Sequence, residues 1–214
     1  MKKILFAVLT TLVITGASAQ SDKFMGAMKP LVAAIDSTTT YDGFMKLANS
    51  FQRIAEAEKT QWLPFYYAAL CNVSAAYTLM ATPDPSKTDP MADKAEGLLN
   101  QAEALSKDNS EIYIVKKQIA SMRLIADPMN RYMTYGPVAA EALEKAKQLN
   151  PENPRVYLLE AQDKYFTPEE FGGSKTDAKK LFELSKQKFD AAKPETDIHP
   201  RWGKNQISYF LSQG

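Results

Sequence analysis

The sequence predicts an all-α chain of antiparallel helix pairs stacked side by side. Three observations predict it: a helical apolar period along the chain, turn residues that cut it into helix-sized pieces, and an internal repeat. No sustained alternating run of β-branched residues calls for a strand.

The elements follow in order. Met1-Lys2-Lys3 is a short basic start, and Ile4 to Thr15 is a mostly apolar run of 12 residues. A membrane-spanning helix needs about 20. Ala17-Ser18-Ala19 fits the small-residue cleavage rule, so residues 1–19 are expected to be a secretory signal cut after Ala19. No cysteine follows that run to accept a lipid anchor, and no later segment is long and apolar enough to span a membrane. The expected location is the periplasm or the medium. Residues 20–38 are expected to form an N-terminal helix or cap, and 39–214 the repeat domain.

Within it, Phe44, Leu47, Ala48, Phe51, Ile54 and Ala55 draw one apolar stripe along a helix. Ala95, Leu98, Leu99, Ala102 and Leu105 draw another, and so do Ile112, Val115, Ile119, Met122 and Ala126. Ala178, Leu181, Phe182, Ser185, Phe189 and Ala192 complete the series. Breakers lie at Thr82-Pro83-Asp84-Pro85-Ser86, Asp89-Pro90, Asp127-Pro128, Gly136-Pro137, Asn150 to Pro154, Phe171 to Ser174 and Lys193 to Pro200. The spacing predicts helices over 23–36, 40–58, 61–80, 90–107, 109–126, 129–149, 153–166, 175–192 and 201–212.

Residues 95–118 align with 139–162 at an offset of 44, with seven identities in 24 positions. Ala95, Leu99, Ala102, Leu105, Asn109, Tyr113 and Gln118 match Ala139, Leu143, Ala146, Leu149, Asn153, Tyr157 and Gln162. Small residues let two helices approach, Leu fills the groove between them, and Asn closes the turn. A period of this size marks helix pairs that bury a continuous core only together.

The pattern Ala139-x3-Leu143-x2-Ala146-x2-Leu149-x-Pro151-x-Asn153 resembles the second helix and closing proline of the tetratricopeptide repeat family, and Tyr157 and Ala161 suit its next first helix. Lys107, Lys117 and Glu160 depart from the family pattern. The copies lie 44 and 39 residues apart, measured from Ala102 to Ala146 to Ser185, which places extra residues in longer helices or loops. The resemblance implies a short right-handed α-solenoid whose first helices line a concave groove. It would place Glu111, Ile114, Gln118 and Ser121 in that groove, and then Arg155, Leu158, Gln162 and Tyr165 one repeat later.

Chemistry-bearing residues are sparse. His199 is the only histidine, so no pair of histidines can ligate a metal, and Glu195, Asp197 and His199 read as a solvated loop rather than a metal site. Neither a nucleophile elbow nor a phosphate-cradling glycine loop occurs, so no catalytic site, cofactor or metal is expected. Cys71 is the only cysteine and lies in an apolar stretch, as a buried small hydrophobe does. Without residues 1–19 the chain carries a net charge of about −1, which gives no electrostatic reason for nucleic acid as a partner. A non-catalytic protein that binds a protein or peptide partner is the first expectation. A small-molecule binder associated with uptake, its aromatics closing a cavity of about 300–1,000 Å³, is the alternative. Trp202 is expected to pack on the 175–192 helix and close the stack.

Overall fold

The structure, a computed structural model, describes residues 22–81 and 83–213. The signal segment expected at 1–19 lies outside them. Helix α1 covers 22–34 and ends in a 3-10 turn, Ile35–Ser37. There follow α2 (Tyr41–Glu58), α3 (Trp62–Tyr77), α4 (Pro85–Leu105), α5 (Ser110–Ala126) and α6 (Pro128–Leu149). Then come α7 (Pro154–Phe166), a 3-10 turn (Glu169–Phe171), α8 (Lys175–Ala191) and α9 (Lys204–Ser212). No strand occurs among the described residues.

Helix starts follow local chemistry. The matched asparagines are both N-caps: Asn109 accepts from the Glu111 amide, and Asn153 from the Arg155 amide. Thr40 and Ser174 cap α2 and α8 in the same way. Two starts come earlier than the spacing predicts. Helix α4 begins at Pro85 rather than 90, because Asp84 caps it and Pro85 suits a first turn. Pro90 then sits inside the helix, where it has no amide hydrogen to donate to the preceding turn. Helix α6 likewise starts on Pro128 and carries Pro137 within it.

The hairpins pack as the repeat requires. Helix α5 lies chiefly on α6, and α7 on α8, while α3 touches α2, α4 and α5. Ala102 and Ala146 are both fully buried, and the Ser110 hydroxyl donates to the Ala146 carbonyl across 2.8 Å. Helix α3 is buried nearly all round, from Leu63 to Ala76. Phe51 stacks on Tyr67 with ring centroids 5.0 Å apart.

The first helices run parallel. Tyr66 meets Glu111 and Tyr77 meets Gln118, so α3 and α5 share a direction. Glu111 meets Arg155 and Lys117 meets Asp163, so α7 shares it too. Gln162 meets Gln206 and Phe166 meets Phe210, so α9 continues the row. The chain therefore has two ends to consider: the starts of these helices and their finishes.

Candidate functional site

At the starting end, α3, α5 and α7 converge on one buried carboxylate. Glu111 accepts from the Arg155 Nε at 2.8 Å, from Asn153 Nδ2 at 2.7 Å and from the Tyr66 hydroxyl at 3.1 Å. Arg155 is 5% exposed and lies between the rings of Phe189 and Trp202. Burial, reinforced by the neighbouring Glu111, pushes the Tyr66 phenol well above its ordinary range.

The C-terminal segment seals this end. Trp202 donates through Nε1 to the Tyr66 hydroxyl at 2.8 Å, and the Trp202 carbonyl accepts from Arg155. Tyr67 donates to the Ile198 carbonyl at 2.8 Å. Gly203 has φ +108°, and a Cβ there would meet Leu158 at 2.9 Å, so the strap lies directly on α7. Trp202, expected on the 175–192 helix, plugs this end against α3 and α7, and the strap also reaches Phe189 of α8, which a Cβ at Gly203 would meet at 3.2 Å. The expected groove residues fare accordingly. Glu111 and Arg155 form the buried ion pair, and Ile114 and Leu158 are fully covered. Ser121 is buried, while Gln118, Gln162 and Tyr165 are half-buried. The groove is therefore not open at its Arg155 end, because the strap fills it.

His199 also belongs to the starting end. Its Nδ1 lies 2.8 Å from the Thr196 hydroxyl, its Nε2 3.3 Å from Glu195, and its ring meets Trp62 edge-on. No group of three or more His, Cys, Asp or Glu among the described residues is placed to hold a metal ion. Cys71 is buried, and that burial pushes its thiol far above the ordinary range.

The finishing end is different. The bidentate ion pair of Arg131 with Asp89, both arms 2.7 Å, fixes the N-terminal half of α6 against α4. A further bond from Arg131 to the Arg123 carbonyl sets it beside the end of α5. That half of α6 then presents Met129 (93% exposed), Tyr132 and Met133 (81% exposed) to solvent. At the same end, α7 and α9 finish in an aromatic cluster. Phe210 stacks on Phe182 at 4.6 Å and meets Tyr165, Phe166 and Tyr209 edge-on. Phe166, Phe171 and Tyr209 of this region are exposed. The Phe171 turn is held by a close approach: a Cβ at Gly173 would collide with the Thr167 carbonyl. Helix α6 touches α7 only lightly.

These two exposed apolar groups, Met129, Tyr132 and Met133 on α6 and Phe166, Phe171 and Tyr209 by the ends of α7 and α9, are the candidate site. Large side chains in such a group, left in water, mark a place where something binds. Lys175 lies 5.5 Å over the Tyr165 ring and supplies a cation at its edge. Two surface hollows lie elsewhere. One of about 430 Å³ is bounded by Asn100, Glu103, Lys107 and Tyr113, and one of about 200 Å³ by Pro154, Arg155, Phe189 and Lys204. Neither is the enclosed aromatic cavity expected of a small-molecule binder. Of the candidate site and the aromatic cluster beside it, Tyr165 is the one residue that the repeat resemblance places in the groove. The signal for the rest was present: Met129, Tyr132 and Met133 fall at i, i+3 and i+4, a stripe that reads as core until no partner is found for it.

No protein-family profile matches the chain, and no curated protein matches it. Among solved structures, the chain is similar to the HusA haemophore from Porphyromonas gingivalis, with 36% sequence identity and a TM-score of 0.78. The similarity covers 89% of this chain and 92% of that one.

Proposed function

The chain belongs to the family of the HusA haemophore, and from that membership we propose that it is an exported, non-catalytic binding protein whose cargo is haem. The cargo would lie on the face formed by Met129, Tyr132 and Met133 of α6 with Phe166, Phe171 and Tyr209. The exposure of that face carries the reading. A flat, largely apolar macrocycle gains about 25 cal/mol for each Å² of apolar surface it removes from water, and stacking on aromatic edges and faces adds to this. Thioethers adapt to such a surface. Lys175 stands where a carboxylate of the cargo could be neutralised. The export part of the proposal rests on residues 1–19. We also infer that the hairpins α3–α4, α5–α6 and α7–α8 are divergent tetratricopeptide repeats, since the matched asparagines cap equivalent helices and the matched alanines lie buried.

The protein-partner reading has less support, because residues 198–203 close the Arg155 end of the groove in which a peptide would lie. The test is a haemin titration followed by Soret absorbance. The chain is expected to saturate with a shifted Soret band. Met129→Asp together with Met133→Asp should weaken binding by at least about tenfold, since charge replaces apolar contact on both side chains. His199→Ala, at the other end, should leave binding unchanged. A chain that leaves the Soret band unmoved, or that loses binding through His199→Ala alone, overturns the proposal.

A further inference from the structure

We infer that Met129 and Met133 are a modification site at which a peroxide releases the cargo. This rests on the haem-binding reading of the same face. Met129 is 93% and Met133 81% exposed, one helical turn apart on α6. Met28 and Met122 are fully buried and Met91 is nearly so, so the chain carries its own protected references. A thioether in water is open to two-electron oxidation, and one under a packed core is not.

The step balances simply. A sulfur lone pair attacks one oxygen of hydrogen peroxide, the O–O bond breaks, and the remaining oxygen leaves as water after proton transfer. Sulfur is oxidised by two electrons and peroxide is reduced. The product carries a polar S=O group where an apolar surface stood. Covering that group with a flat apolar ligand strips its water without offering a hydrogen bond. Two sulfoxides side by side on one face should therefore weaken binding by about tenfold. Haem and peroxide are reactive together, so a carrier whose grip loosens under peroxide would shed its cargo under that condition. The change is reversible by enzymes that reduce methionine sulfoxide.

The experiment treats the full mature chain with dilute hydrogen peroxide, removes the oxidant, maps the added oxygen by peptide mass spectrometry and then titrates haemin. Sulfoxide should appear first at Met129 and Met133, before Met28 or Met122. Haemin affinity should fall about tenfold and return after treatment with methionine sulfoxide reductase. The Met129→Leu/Met133→Leu variant is compared with itself before and after peroxide, whatever its starting affinity, and should change by less than about twofold. A doubly oxidised chain that binds as tightly as the untreated one overturns the inference, and so does a leucine variant that peroxide weakens equally. An untreated chain that fails to bind haemin overturns the haem reading instead, and the release step with it.

Discussion

Replacing Glu111 with glutamine removes the charge around which three helices and the C-terminal strap are assembled. The carboxylate accepts from Tyr66, Asn153 and two nitrogens of Arg155. Arg155 is 5% exposed and packed between two aromatic rings, so it cannot turn outward to water. Removing one partner of a buried pair leaves the other charge unpaired, at a cost of about 3–5 kcal/mol. For a chain of this size each kcal/mol lowers the melting temperature by about 2–4 °C. Glu111→Gln should therefore melt about 6–20 °C lower by circular dichroism at neutral pH. Glu111→Leu combined with Arg155→Met should recover part of the loss, since it leaves no orphaned charge. A shift below about 3 °C for Glu111→Gln would match an exposed ion pair and refute the clamp.

Three further outcomes follow from the same geometry. Asn153→Ala should destabilise more than Asn109→Ala, by thermal melting: both lose a cap worth about 1 kcal/mol, but Asn153 also donates to Glu111 and Ser110. Lys186, with Lys204, holds the Asp190 carboxyl down at about 2. Because the folded value lies below the ordinary 3.8, its stabilisation is present above about pH 4 and disappears as pH falls toward 2. Asp190→Asn should flatten the stability profile across that window alone, as measured by urea unfolding at stepped pH. Cys71 should stay unreactive toward a thiol reagent such as DTNB in the native chain and react fully in guanidinium, because it is buried and its thiolate is disfavoured by desolvation.

Much of the fold was legible because its causes are local. The stripe through Leu47, Ala48, Phe51 and Ala55 is buried as a helical period requires. Asn109 and Asn153 declared themselves through the repeat, and they cap the helices that follow them. The start of α4 was hidden because Pro90 suggested a beginning, whereas Asp84 and Pro85 supply one earlier. The site was less legible. Trp202 reaches Tyr66 across 136 residues, and no periodicity reports a contact of that span. That one strap lies on Leu158 and Arg155, and so turns them, with the Glu111 that Arg155 holds, from groove lining into core. Met129 and Met133 were missed for the opposite reason. An apolar stripe normally signals burial, whereas these side chains are exposed.

The central claim is that cargo lies at the finishing ends of α5, α7 and α9, against the start of α6. Backbone amide NMR during a haemin titration tests it most directly. The account predicts line broadening or shifts confined to residues 125–135, 164–173 and 206–212. Perturbations centred on His199, Trp202 and Arg155, with the α6 amides unmoved, would contradict it.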